Sequence, residues 1–255
     1  MQEEIENYFS KFKLKGMRES FLRQTDLTYQ SLSFDERLFD LLRAEDIFRL
    51  NKKITYNILQ SKIKNKQARL EDLDYSSSRG LEKKSLSQML LNYIPNKKNI
   101  IITGPTGTGK SFLSESIALK SIYDGYTAKY YRFSRLLEEV DLSKLDSNYS
   151  NFINKISKIN ILVIDDFGIN PLTSSQSSIL LDIIEERIGE GSTIISSQLP
   201  VSDWYNYFND PTIADAILDR LVYSSYKINL KGESMRKIKS KDFSNELNLK
   251  VSSEN

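Results

Sequence analysis

The sequence predicts an α/β protein: a parallel five-stranded sheet flanked by helices, preceded by a small all-helical domain. Three observations predict it. Short apolar runs at 100–102 and 161–164 have the length and residue types of buried strands. Stretches of helical period follow them, the clearest at 173–188, where Ile179, Leu180, Ile183, Ile184 and Ile188 form one stripe. The first ~70 residues show helical spacing and no strand signal.

Composition narrows the chemistry. The 255 residues contain no Cys and no His, which removes disulfides, thiol nucleophiles, Cys/His zinc sites and every histidine-based mechanism. Catalysis would fall to carboxylates, Lys, Arg, hydroxyls or a metal held by oxygen. Net charge is +2, so a nucleic-acid surface would have to be a local patch. The acidic start M-Q-E-E-I-E-N is unlike a signal peptide, and no apolar run approaches the ~18 residues of a membrane span. A cytoplasmic protein with no membrane partner is expected.

Taken in order, residues 3–12 read as a helix, with Ile5, Tyr8, Phe9 and Phe12 at helical spacing. A second helix is expected from Met17 to Gln30. A third begins at Ser33, where Ser33 and Glu36 form a capping box ahead of Leu38, Leu41, Leu42 and Phe48; it runs on toward Lys66 or breaks near Asn51. Arg49, Lys52, Lys53, Lys62, Lys64, Lys66 and Arg69 occur with no acid between Asp46 and Glu71. Such a stretch is either a solvated helix face or a face for DNA phosphates. The Ser-rich segment 73–80 reads as a linker, which places a domain boundary near 75: a helical domain over 1–75 for DNA binding or oligomerisation, a second domain over 76–247, and a disordered tail at 248–255. A helix is expected around 84–93.

The strand at 100–102 runs into G-P-T-G-T-G-K-S at 104–111, the Walker A pattern G-x-x-x-x-G-K-S between a strand and a helix. Gly104, Gly107 and Gly109 let the backbone turn its N–H groups toward a polyphosphate, and the helix that follows adds its positive end. The candidate phosphate-binding residues are Gly104, Pro105, Thr106, Gly107, Thr108, Gly109, Lys110, Ser111 and Phe112. Lys110 would reach the β- and γ-phosphates, and the Ser111 hydroxyl would ligate Mg²⁺. A strand at 127–133 and helices at 134–140 and 149–157 lead to I-L-V-I-D-D-F-G at 161–168, a buried strand delivering two acids to its C-terminal end. Asp165 would hold Mg²⁺, and Asp166 would orient the attacking water. The D-F-G within it is a coincidence with protein kinases, whose glycine loop differs and whose catalytic loop needs a His. No N-K-x-D reads guanine, so ATP is the expected nucleotide. After the helix at 173–188, S-T-I-I-S-S at 192–197 is the fourth strand, with Gln198 at its end. Trp204, Tyr205, Tyr207 and Phe208 are packing residues; a helix at 213–223 and a strand at 226–230 close the domain.

These landmarks resemble the IstB-like helper ATPases of insertion sequences, relatives of the DnaC helicase loaders in the AAA+ class. The likeness covers nearly the whole chain: L-K-G-M at 14–17, the 104–111 loop, I-D-D-F-G at 164–168, S-S-Q-L-P at 196–200, I-L-D-R-L at 217–221 and L-K-G-E-S-M-R at 230–236. It implies an Mg²⁺-dependent, DNA-stimulated ATPase that self-assembles on double-stranded DNA and assists a transposase; the alternative is a loader with a replicative helicase as partner. A small-molecule kinase would need a second substrate pocket and a lid. The resemblance makes Ser197 or Gln198 the sensor of the γ-phosphate, Arg220 an arginine finger acting on a neighbouring subunit's ATP, and Arg236 a second sensor or interface arginine. No full helical lid follows the last strand, so the N-terminal helices or a neighbour would complete the nucleotide pocket.

Overall fold

A computed structural model of the chain describes residues 1–29, 31–223 and 225–238. The tail expected at 248–255 lies outside the described residues. The chain divides after Leu59 into two compact units.

The first unit holds α1 (Gln2–Lys11), α2 (Lys15–Arg23) and nearly all of α3 (Phe34–Gln60). α2 stops at Arg23, short of the expected Gln30. Gly16 explains the L-K-G-M signal: a Cβ there would lie 2.4 Å from the Ala44 carbonyl oxygen and 2.7 Å from Phe48 Cβ, so only glycine lets α2 seat on α3. Buried Glu45 completes the joint, accepting from the backbone N–H groups of Gly16 at 2.8 Å and Met17 at 3.2 Å, orphan donors of α2's first turn. Ser33 and Glu36 form the capping box of α3 as expected. α3 passes Asn51 without a break and ends at Gln60, before Lys66.

The second unit is built on five parallel strands: β1 (Asn99–Thr103), β2 (Ala128–Arg132), β3 (Ile161–Phe167), β4 (Ser192–Ser197) and β5 (Ser225–Asn229), in the order β2-β3-β4-β1-β5. α4 (Lys83–Asn92) precedes β1, α5 (Lys110–Tyr123) follows it, and α6 (Phe133–Leu145) and α7 (Tyr149–Ser157) link β2 to β3. α8 (Ser174–Glu185) leads into β4; α9 (Trp204–Tyr207) and α10 (Pro211–Val222) lead into β5. Thr173 and Gln176 cap α8 reciprocally. Its stripe is buried except Ile188, which lies past the helix end and is exposed. Phe167 packs at 4.8 to 5.1 Å between ring centroids against Trp204, Tyr207 and Phe133, so the phenylalanine of D-F-G is a core residue. Trp204, Tyr207 and Phe208 are buried as expected; Tyr205 is exposed.

Two expectations about residues 60–80 are corrected. The units part earlier than the boundary placed near 75 because residues 61–68 pack on the sheet unit. Tyr130 N–H donates to the Ser61 carbonyl at 2.7 Å, covering the edge of β2, and the N–H groups of Lys64 and Asn65 donate to Glu115 of α5. Residues 61–69 are not helical, so the basic stretch is not one helix face: Arg49, Lys52 and Lys53 lie on α3, while Lys62, Lys64, Lys66 and Arg69 follow it in the other unit. Segment 73–80 is no free linker either. It carries buried Arg79, ion-paired with Asp74 at 2.9 Å.

Candidate functional site

β1, β3 and β4 end at the same edge of the sheet, where parallel α/β sheets place ligands. A cleft of about 590 Å³ opens there. Thr106, Gly107, Thr108, Gly109, Lys110, Ser111, Phe112, Asp166, Gln198 and Arg236 all line it. Gly104 and Pro105 form the root of the loop. Gly104 and Gly107 have positive φ and have no room for a side chain: a Cβ at Gly104 would meet the Leu230 carbonyl oxygen at 2.3 Å, and one at Gly107 the Ser234 hydroxyl at 2.2 Å. Gly109, at φ +100, caps α5. The Lys110 ammonium donates to the carbonyls of Gly104 at 2.7 Å and Pro105 at 2.9 Å. Burial lowers its pKa; Asp165 and Asp166 oppose that shift and Arg236 adds to it.

The two acids part company at a bulge. Ile164 pairs with Ile195, but Phe167 pairs with Ser197, so β3 carries one extra residue at Asp165–Asp166. Asp166 takes φ +57, in the left-handed region that Asp tolerates better than most residues. The result re-aims adjacent side chains. Asp165 is buried, its two oxygens accepting from the hydroxyls of Tyr130 and Ser196. Asp166 lines the cleft and pairs with Arg132 Nε at 3.3 Å. Burial, followed by the Asp165 charge, drives the Tyr130 phenol pKa up, so it stays a donor to that carboxylate.

The strand end also separates Ser197 from Gln198. Ser197 is fully buried; its hydroxyl donates to the Phe167 carbonyl at 2.7 Å and accepts from Leu199 N–H at 3.0 Å. It fastens β4 to β3. Gln198 faces the cleft, its Oε1 accepting from the Thr106 hydroxyl at 2.6 Å. The cleft is completed by Asn65, Gln67, Asp72, Leu73, Asp74, Arg79 and Leu81, together with Leu230, Met235 and Arg236. Sequence reasoning did not find Asp74, Arg79, Tyr130 or Ser196; only Arg79, just before a glycine in a polar segment, gave any local sign.

Residues 8–243 match the family described as IstB-like ATP binding protein. The chain belongs to this family. It is 38% identical over 209 residues to an insertion sequence ATP-binding protein of Sinorhizobium fredii, covering 82% of this chain and 85% of the relative. It is 35% identical over 192 residues to the ATP-binding protein of insertion sequence IS1162 of Pseudomonas fluorescens, covering 74% and 83%. In fold it resembles the crystal structure of DnaI, with TM-score 0.55 and 20% identity over 65% of this chain and 92% of that one. The DnaC helicase loader matches with TM-score 0.51 and 18% identity over 64% and 97%. The chain shares the fold of these two proteins, and ATP is the ligand the IstB-like family is described as binding.

Arg220 is not at this IstB-like cleft. Its backbone carbonyl accepts from the Asn99 side chain at 3.4 Å, at the start of β1, and its guanidinium pairs with Glu185 at 2.9 Å. The four steps of β1 from Asn99 to Thr103 put roughly 13 Å between that end and the loop. Arg220 therefore does not reach the cleft of its own chain. For Mg²⁺, the donors fit in kind. No group of three or more acidic residues forms a cage among the described residues. The Ser111 hydroxyl, in the cleft, and the carboxylate of Asp165, which accepts from Tyr130 and Ser196 and does not itself line the cleft, are hard oxygens of the kind Mg²⁺ takes from a protein. Among the described residues, no helix is long and apolar enough to cross a membrane.

Proposed function

We propose that this chain is an Mg²⁺-dependent ATPase that assembles on double-stranded DNA with ATP at its subunit boundaries, and that it helps the transposase of its insertion sequence engage target DNA. One observation carries the reading: Lys110, Ser111, Asp166 and Gln198 share a cleft while Arg220 stands at the opposite end of the sheet. A cleft that its own Arg220 does not reach is suited to receive that residue from a neighbour. Lys110 would bind the phosphates, Ser111 and Asp165 would hold Mg²⁺, Asp166 would orient the attacking water, Gln198 would sense the γ-phosphate, and Arg236 would contact the phosphates. A bound Mg²⁺ would supply positive charge against the phosphates. Exposed Phe34, Phe39, Leu42, Tyr56 and Leu59 of α3 give the first unit an apolar surface suited to oligomerisation. The test is phosphate release with and without duplex DNA, then with the transposase added. Rates indifferent to both would count against the reading. The likeness to the DnaC loader's fold supports a second reading, and a replicative helicase replacing the transposase in the same assay decides between them.

Two outcomes follow. Asp166→Asn keeps a residue that tolerates the left-handed backbone but removes the water's acceptor. It should bind ATP and lose hydrolysis by roughly 10²-fold or more, leaving ATP-bound oligomers on DNA visible by light scattering. A variant that stays monomeric, or turns over normally, would overturn the division of labour between the two acids. The second outcome concerns DNA. Lys62 is committed to Glu139 and to the Tyr131 ring, 4.5 Å from its centroid, whereas Lys64 and Lys66 are exposed. Alanine at both should weaken binding to all duplex sequences alike and flatten the log–log salt slope by roughly 0.9 per lost contact. An unchanged slope would move the DNA contacts elsewhere.

A further inference from the structure

Arg79 joins two segments more than 150 positions apart in sequence, both of which line the cleft. Its Nε donates to Asp74 at 2.9 Å, its Nη1 to the Glu233 carbonyl at 2.6 Å, and its Nη2 contacts Met235 Sδ. The backbone repeats the link, Lys231 N–H donating to the Arg79 carbonyl at 2.9 Å. Glycines permit the close approach. A Cβ at Gly80 would lie 2.7 Å from the Asn229 carbonyl oxygen, and one at Gly232 3.2 Å from Arg79 Nη1. From Met235 the connection reaches the phosphate loop itself, because Met235 N–H donates to the Gly107 carbonyl at 2.8 Å. The next residue is Arg236, whose side chain lines the cleft.

We propose that Arg79 is a positioning residue: it latches residues 233–235 onto the phosphate loop and so sets where Arg236 stands over the nucleotide. The inference rests on reading the cleft as the ATP site. Its logic is geometric. A planar guanidinium addresses three acceptors in three directions at once, which an ammonium cannot do. Arg79 is 5% exposed, so water does not substitute for the lost partners. Among the described residues Arg236 has no such anchor of its own, and it inherits its placement from Met235.

The experiment is a double-mutant cycle in the full chain, read by titration of a fluorescent ATP analogue. Arg79→Ala, Arg236→Ala and the double variant should each weaken binding by a similar factor, about tenfold, because removing the latch already removes what Arg236 contributes. Arg79→Lys should not rescue. Losses that multiply in the double variant, or full rescue by lysine, would overturn the proposal. Amide exchange supplies the second readout. The Met235 N–H should exchange at least about tenfold faster in Arg79→Ala while β3 is unchanged. If β3 also speeds up, the alanine variant is globally unstable, and the cycle is run with Arg79→Lys instead. Lys110→Ala is the control on the site: if it binds the analogue like the unmodified chain, the ATP reading of the cleft has failed, and the Met235 exchange still judges the latch.

Discussion

Lys110→Ala is expected to abolish ATP binding and phosphate release while leaving the chain folded. The side chain is the one ammonium that the Walker A loop aims at the phosphates, and nothing else in the cleft replaces its charge at that point. Arg236 also lines the cleft but is carried by a different segment, next to Met235. The fold should survive because the loop is fastened independently of Lys110. Met235 N–H holds the Gly107 carbonyl, and Leu230 N–H holds the Thr103 carbonyl at 2.8 Å. The variant gives up two hydrogen bonds to carbonyls, worth about 1 kcal/mol each, and also the desolvation of a buried ammonium, which acts the other way. The sign of the pH dependence follows. The folded-state pKa lies below the ordinary 10.5, so the charged lysine costs stability at lower pH. That cost fades as pH rises through the folded pKa toward 10.5, and the stability of the unmodified chain relative to the variant should rise over that window. Binding of a fluorescent ATP analogue, phosphate release and an unfolding curve check the three parts. Turnover near the unmodified rate would mean that the loop does not hold the nucleotide.

What the sequence disclosed and what it withheld divide along physical lines. The loop was visible because its demands are local: glycines where positive φ is needed, a lysine and a serine at the helix start. The strands were visible because a parallel sheet covered on both faces needs unbroken apolar runs such as 161–164. The capping boxes at Ser33 and Thr173 are also local, although the second was not singled out. Contacts made across the fold were hidden. Nothing near Arg79 announces Glu233 or Met235, and nothing near Asp165 announces Tyr130 and Ser196. The choice between Ser197 and Gln198 could not be made from a two-residue period, because β4 ends at Ser197 and the bulge in β3 shifts the register just there. The boundary near 75 missed because polar, Ser-rich composition also suits a segment that lines a polar cleft. Arg187 is the extreme case. Charged and surface-like in sequence, it is buried among the carbonyls of Ile156, Ile159 and Ser192, with its pKa lowered to about 10 by burial.

Arg220→Ala is expected to bind ATP nearly normally and to lose hydrolysis by ~10³-fold or more, the loss typical of an arginine finger. Its position makes the trans arrangement the one worth testing. The guanidinium sits at the N-terminal edge of the strands beside Glu185, with the full length of β1 between it and its own phosphate loop. It acts on a phosphate only if a second subunit presents its cleft to that edge. The always-charged, forked side chain then meets the γ-phosphate as charge develops there. Because ATP would lie in the interface, the variant should also assemble poorly when ATP is added, measured by light scattering. Mixing decides the matter. Arg220→Ala combined with Lys110→Ala should recover part of the activity that neither shows alone. At one kind of mixed interface the Arg220→Ala subunit supplies an intact Lys110 cleft, and the Lys110→Ala subunit supplies an intact Arg220. Two such subunits form one competent site in each pair, so activity should rise and fall with the mixing ratio and peak between the pure variants. If every ratio stays at the level of the two inactive proteins, Arg220 serves only to pair with Glu185 at the end of α8, and ATP hydrolysis by this chain uses no finger from a neighbour.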